Sequence, residues 1–551
     1  MKKSIILIAF VLLAIVSAFA QKEVVGKPYS FTHNNISQNV DRIELPVQDH
    51  QKLINEDAIN FVKDGKPMRV GVSEIVKLNT KNSGRTDILP NGDRLWRVTV
   101  KSPDALMLCA YISNFNIPEE ASFYIYSGDF SQLTGKYTAE DVQEQNGWLV
   151  SEDIMGDEIT FEYYEPADVL FHGTFEIDHI SHIYRDIAAY SREAKGNIGD
   201  SEGDCHINVA CPIANPWRNQ VNSVVCISIH SPAEGADFLC SGAMINNVRQ
   251  DKTPYVLSAN HCLNDDNNCT FKFYFNYQSP TCTNEPNAIS PLYRANGGTV
   301  CATANLNSSS DFLLLRITGN ISNLYADSIV FAGWDATGAG SVGAGIHHPG
   351  GDYKKISFPR QVTSSNKYWK TYWYTGSNNK GVTEQGSSGS PLFNANGRII
   401  GDLSTGSSSC EYTSGYDNYG KFSWSWTNNN NSSNAKKLQP WLDPDNTGTL
   451  IMDGMHYNGT PAVGIASVAQ PVQNLTIAPN PSFGNVNIKG AFDSNSGICN
   501  VYDMMGKLIS STTIILEPSI NMNFRDLPNG TYFVEIISDN HIYKSKMVIA
   551  K

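Results

Sequence analysis

At 551 residues, with 41 Lys and Arg against 54 Asp and Glu, the chain carries a formal net charge of −13. That balance argues against a nucleic-acid partner, whose phosphates call for a positive footprint, and leaves basic peptides open as substrates. The length exceeds one comfortable core and predicts about three domains. Nine of the eleven cysteines lie between Cys205 and Cys410, which predicts a disulfide-braced central domain in an exported protein.

Residues 1–20, MKKSIILIAFVLLAIVSAFA, join two lysines to an apolar run that ends on small residues, the pattern of a secretory signal peptide cut before Gln21. No later segment has the length and apolarity expected of a transmembrane helix. Residues 21–195 are cysteine-poor and alternate in strand fashion through RLWRVTVKS (94–102), DALMLCAYI (104–112) and ASFYIYSG (121–128), so a β-rich domain is expected. The region closes on DIAAYSREAKGNIGDSEGD, a polar, glycine-containing link suited to cleavage, and it therefore reads as a removable propeptide. Residues 196–456 hold the strand candidates VVCISIH, FLCSGAMI, PYVLSANHC, FKFYFNYQ, DFLLLRI, SIVFAGW and RIIGDLS between Gly, Asn and Ser-rich turns, as in closed or sandwiched β architectures. TNNNNSSNA (427–435) reads as a surface loop and KKLQPWLDP (436–444) as a short helix stopped near Pro444. A linker over 457–473 leads to residues 474–551, where LTIAPNP, NVNIKG, GTYFVEIIS and YKSKMVIAK predict a small β-sandwich with no catalytic pattern.

Three central segments carry complementary chemistry. LSANHC (257–262) ends an apolar run on His261, SSSDFLLL (308–315) places Asp311 before another, and GSSGSP sets serines between glycines ahead of PLF. Together they supply a nucleophile, an imidazole to take its proton, and an acid to orient that imidazole, which is what peptide-bond hydrolysis requires. The residues alone leave Ser387, Ser388 and Ser390 all open as nucleophile. His347 and His348 in GIHHPG come without an HExxH helix or paired CxxC ligands, so they predict structural roles and no metal site. No calcium loop and no cofactor are expected either.

The blocks GDCHINVACP, FLCSGAMINN, YVLSANHC, FNYQSPTC, DFLLLRI, AGWD, GIHHP, GVTEQGSSGSP and DNYGK, in this order over roughly residues 203–454, resemble the secreted lysyl endopeptidases, a bacterial branch of the chymotrypsin-like serine proteases. The resemblance implies a mainly β protein whose protease domain is a chymotrypsin-like double β-barrel. His261 is then the general base, Asp311 its orienting acid and Ser388, the second serine of GSSGSP, the nucleophile. The backbone N–H groups of Gly386 and Ser388 become the oxyanion-hole donors, and Asp417 in YDNYG the acidic floor of a pocket for a substrate lysine. The same pattern implies disulfides Cys205–Cys410, Cys211–Cys282 and Cys240–Cys262. The remaining count offers Cys269–Cys301 as a fourth bond and leaves Cys226 unpaired, while isolated Cys109 and Cys499 read as buried small hydrophobes.

Three departures stand out. Ser387 occupies the place of the aspartate that pairs with a new amino terminus in trypsin-like zymogens, Val382 that of the trypsin pocket aspartate, and Ser404 that of a family histidine. Lys195, in REAKGNIGD, fits self-cleavage by a lysine-specific enzyme. IAPNPSFGNVNI, VYDMMGKLI, LPNGTYFVEI and KSKMVIAK resemble the sorting domains of the type IX secretion system of Bacteroidetes, which implies periplasmic passage and then release from, or attachment to, the cell surface of a Gram-negative bacterium. The function expected is a secreted serine endopeptidase acting on proteins or peptides after lysine, against the alternative of a catalytically inactive, protease-like surface module for adhesion or protein binding.

Overall fold

The structure, a computed structural model, describes residues 26–551 apart from 34–35, 38, 65–66, 143–146, 186–204, 265, 267, 284–292, 320, 322–327, 375–379, 413, 429–430, 463–472, 491, 493–495, 505–507 and 538–541. The signal-peptide segment, Lys195 and much of the 457–473 linker lie outside the described residues. The chain divides into two compact units, residues 1–465 and 466–551.

The first unit is mainly β, and strand alternation decides what it buries. In Arg94–Lys101, Trp96, Val98 and Val100 point to one face and enter a single core with Phe123, Ile125, Ile159 and Phe161 of neighbouring strands. These strands belong to a six-stranded sheet ordered 41–44, 94–101, 158–165, 122–127, 133–137, with 85–88 beside 94–101. Across that core lie Leu108, Ala110, Ile112, Phe175, Ile177 and Ile180 from Met107–Asn116 and Thr174–Ile183. Those two strands continue into a twelve-stranded sheet through Met68–Leu78, whose other edge pairs with Ala236–Ile245. The amino-terminal part and the cysteine-rich part therefore share one sheet.

The run FLLL in Phe312–Ile317 is apolar without alternation because both of its faces are covered. Phe312 and Leu314 enter a core with Trp334, Ile346, Phe393, Ile399 and Trp426, whereas Leu313 and Leu315 enter another with Ile227, Val256, Phe271 and Phe273. The first of these cores joins the twelve-stranded sheet to a ten-stranded sheet that includes Ala344–His347, Pro391–Phe393, Ile399–Gly406, Tyr416–Lys421 and Tyr368–Trp373. The C-terminal short helix spans Gln439–Leu442.

The second unit packs a five-stranded sheet and a three-stranded sheet around Ile477, Val486, Ile488, Val501, Val534, Ile536 and Tyr543. Among the described residues no helix is long and apolar enough to cross a membrane.

Disulfides join Cys205–Cys410, Cys211–Cys282 and Cys240–Cys262. The expected Cys269–Cys301 bond is absent, and both residues are buried outside any disulfide. They sit in different cores, Cys301 with Phe312 and Leu314 and Cys269 with Phe271 and Phe273, so a residual count could not pair them. Cys109, Cys226 and Cys499 are likewise buried outside any disulfide.

Candidate active site

The site forms where the two large sheets meet, because each of its residues stands at a strand end. His261 lies in a 3-10 turn, Asn260–Leu263, directly after the strand Tyr255–Ala259, and Asp311 directly precedes the strand Phe312–Ile317 paired with it. Asp311 adopts a left-handed backbone, φ 69°, a conformation costly for a residue with a Cβ and frequent at functional sites. This turns its carboxylate onto the His261 turn. Its Oδ1 accepts from His261 N at 3.0 Å, and its Oδ2 lies 2.7 Å from His261 Nδ1 and accepts from Ser404 Oγ at 2.7 Å. An anion at Nδ1 assigns the proton there and leaves Nε2 free to accept one. Cys262, the next residue, is tied to Cys240, so the turn is braced covalently from the adjoining strand.

Ser388 lies on the loop before Pro391–Phe393. Its carbonyl accepts from Ser241 N at 2.7 Å, and Ser241 Oγ donates to Gly386 O at 3.0 Å. Gly389, φ 78°, packs so close to the strand leading to His261 that a Cβ there would stand 2.1 Å from Ser258 Oγ and 2.8 Å from Ala259 N. That close approach brings the Ser388 loop to His261, and only glycine permits it. Gly386, φ 87°, is equally constrained, with Gly351 N and His348 O each 2.8 Å from an added Cβ.

The loop's donors divide cleanly. Ser387 N, Gly389 N and Ser390 N donate to Glu384 O, Leu403 O and Ser387 O, whereas among the described residues the N–H groups of Gly386 and Ser388 donate to no protein acceptor. Two unspent N–H groups, one on Gly386 and one on the half-buried Ser388 itself, are what an oxyanion requires. Among the described residues no direct side-chain hydrogen bond joins Ser388 to His261.

Asp417 is fully buried in the strand Tyr416–Lys421. Its carboxylate accepts from Trp373 Nε1 at 2.6 Å, Thr383 Oγ1 at 2.6 Å, Ser407 N at 3.1 Å, Ser408 N at 3.2 Å and Ser408 Oγ. Burial still pushes its pKa above the ordinary carboxylate value, against the pull of those donors. Ser407 and Ser408 also line a cleft of about 380 Å³ together with Gly350, Glu384, Gln385 and Gly406. Asp417 thus stands one layer behind the cleft wall.

Cys410, bonded to Cys205, holds that wall through its N–H to Glu384 Oε1 at 3.0 Å, and Glu384 Oε2 lies 3.0 Å from His206 Nε2. Cys205, His206 and Cys410 cluster as metal donors would, but both sulfurs are spent in the disulfide.

Several neighbours were invisible to the motif reading. Ser404, a departure from the family pattern, serves Asp311. Asp402, two residues earlier, is buried with no hydrogen-bond partner among the described residues, and burial, then the charge of Asp311, pushes it far up toward the neutral acid. The amino-terminal part also reaches the site. Met68 pairs with Leu239, lies against Gly351 and Gly386, and lines the cleft with Arg185.

Residues 198–420 match the family described as lysyl endopeptidase, C-terminal domain, and residues 476–550 match the secretion system C-terminal sorting domain. The chain carries a lysyl-endopeptidase-like domain and, after it, a type IX secretion sorting domain. His261, Asp311, Ser388 and Asp417 all fall within the lysyl-endopeptidase-like segment. A lysyl endopeptidase of Pseudomonas aeruginosa is 25% identical over 313 residues, 54% of this chain, and the chain spans 64% of that relative's length. Human heparin binding protein is a weaker likeness in structure, 14% identical over 42% of this chain and 95% of its own, with a TM-score of 0.28. Neuropsin, a serine protease expressed in the limbic system of mouse brain, is 17% identical over 41% of this chain and 97% of its own, with a TM-score of 0.27. The sorting domain marks a secreted or cell-surface bacterial protein.

Proposed function

We propose that this chain is the precursor of a secreted serine endopeptidase that cuts after lysine, with residues 196–456 as a chymotrypsin-like double β-barrel, residues 21–195 as its propeptide and residues 474–551 as the export domain. The observation that carries the reading is the carboxylate of Asp311, which orients His261 beside a loop whose Gly386 and Ser388 N–H groups are unspent. Ser388 Oγ attacks the scissile carbonyl, His261 Nε2 takes its proton and later gives it to the leaving amine, and Asp311 supports the imidazolium between those steps. The two N–H groups receive the charge on the carbonyl oxygen, each worth about 3 kcal/mol in the transition state. Asp417, behind Ser407 and Ser408, supplies the negative field that favours a lysine side chain in the cleft.

The contacts of Met68 and Arg185 support a propeptide that covers the cleft. Met68–Val72 lies antiparallel to Ala236–Leu239, the stretch of strand that leads to Ser241 and so to the Ser388 loop. An extended substrate would need this space.

A fluorophosphonate probe on processed protein tests the chemistry. Wild type should label and Ser388→Ala should not, and correctly folded, processed wild type that stays unlabelled would favour the inactive binding module. Ser388→Ala should also stay uncut unless active enzyme is added in trans. Matched substrates with Lys, Arg or Leu before the scissile bond test the pocket. Asp417→Asn should remove the preference for Lys, and equal wild-type rates on all three would sink it.

A further inference from the structure

The structure assigns His347 as a positioning residue that holds the oxyanion loop in its working shape in the uncut chain, through a neutral relay to Ser387. This rests on the endopeptidase reading above. The relay has a complete hydrogen-bond account. His347 and Ser387 are fully buried, His347 Nδ1 lies 2.7 Å from Ser387 Oγ, and His347 Nε2 lies 2.9 Å from Ser357 Oγ. Ser357 Oγ donates to Val382 O at 2.8 Å, so its own proton is committed and it can only accept from His347. Nε2 must then carry the imidazole proton, and Nδ1 must accept from Ser387 Oγ. Ser387 Oγ in turn accepts from Glu384 N at 3.2 Å. One chain of bonds therefore runs from the Glu384 N–H through Ser387, His347 and Ser357 to the Val382 carbonyl, and it closes only with a neutral imidazole.

The surroundings keep His347 neutral. Burial first, and then the neighbouring His206, His348 and Lys355, press its pKa far below the ordinary histidine value. Geometry gives the relay its consequence. Ser387 is drawn inward between Gly386 and Ser388, whose N–H groups are the unspent pair. From the other side, Ser241 Oγ fixes Gly386 O and accepts from His348 N at 2.9 Å. The two adjacent histidines thus brace one loop, His347 by its side chain and His348 by its backbone.

A buried aspartate at position 387 would need a cation before the loop could close. Serine on a neutral imidazole needs none, and the relay contains no group created by cleavage. Activation then consists of uncovering a finished site, with no rearrangement of the loop.

The test uses full-length protein processed in trans by separably tagged wild-type enzyme, with reactive serines counted by a fluorophosphonate and turnover measured on a Lys peptide. His347→Phe keeps the ring volume without nitrogens, His347→Asn returns a polar group near Nδ1, and Ser387→Ala removes the partner. His347→Phe and Ser387→Ala should each lower kcat per labelled serine about 10- to 100-fold, within the range for disturbing oxyanion donors, with KM changed less than about 2-fold. The double variant should fall no further than the worse single, because both cut the same relay. His347→Asn should recover to within about 5-fold of wild type. An unchanged kcat per labelled serine in His347→Phe, including the case where only the labelled fraction or Tm falls, overturns the assignment, as do additive losses. Should processed wild type fail to label, the endopeptidase reading fails separately. Amide exchange at residues 384–388 then decides the relay, with faster exchange in His347→Phe supporting it and unchanged exchange overturning it.

Discussion

The lysyl-endopeptidase-like part and the part before it share one sheet and are held in opposite ways. All three disulfides lie between Cys205 and Cys410, one of them bracing the His261 turn and another the cleft wall, whereas the amino-terminal part is joined to its neighbour by strand pairing and buried polar contacts. Lys272 Nζ meets Asp153 at 2.5 Å and Cys109 Sγ at 2.9 Å, Arg294 meets Glu152 and Asp153 at 3.0 Å each, and Tyr274 donates to Asp153 at 2.7 Å. A second cluster joins Tyr111 and Ser181 to Asp237, and His179 to His230 at 2.7 Å. The cysteine-rich part is stapled covalently, and the amino-terminal part is joined to it by bonds that water can replace.

Asp153 offers the hardest blow to that contrast. Asp153→Asn leaves Lys272 and Arg294 buried beside a neutral group, and it should weaken attachment of the amino-terminal part by about 3–5 kcal/mol. Hydrogen exchange of the uncut protein would show early opening of residues 107–116 and 174–183, while processed enzyme keeps the wild-type Tm. A parallel drop in the Tm of processed enzyme would mean that the two parts are one cooperative body. Replacing Cys240 and Cys262 together by serine should cost processed enzyme about 2–4 kcal/mol, read by denaturant midpoint.

Acidity should act on the amino-terminal attachment. Burial, and next the neighbouring His230, press His179 down to about 4, with Asp178 and Asp237 opposing, Tyr111 stacked on its ring and Trp148 edge-on to it. A histidine lowered in the joined state contributes attachment that is complete above about pH 6.5 and is lost progressively as pH falls toward 4, because the released state takes up the proton. Dissociation of cut but still associated protein, followed by gel filtration, should therefore be faster at pH 5 than at pH 7.5, and a flat profile would remove the histidine pair from the account. The smallest effect belongs to Cys109→Ser, which keeps an acceptor for Lys272 and should alter attachment by no more than about 1 kcal/mol in the same exchange measurement.

These comparisons also separate what could be read from the chain from what could not. His261 and Asp311 could be proposed because one closes an apolar run and the other opens one, whereas Ser388 was singled out from Ser387 and Ser390 only by the family resemblance. Gly386 and Gly389 were legible as a turn, although the contacts that demand glycine come from Gly351, His348 and Ser258, far away in sequence. Ser404 looked like a loss against the family pattern until the sheet brought it to Asp311. Asp153 and Lys272 carry no motif, and their meeting depends on which strands become neighbours in the shared sheet. Cys269 and Cys301 show the same limit, since a count of thiols says nothing about which face of a sheet each one occupies.

Asp237 acquires a second meaning from its strand. In the uncut chain it accepts from Tyr111 and Ser181 while its backbone neighbours pair with Met68–Val72. If the amino-terminal part is released as proposed, Ala236–Leu239 becomes an open sheet edge, the kind of surface through which proteins add strands to one another and precipitate. A carboxylate set in the middle of that edge would then be a safeguard on solubility, repelling a second copy from it.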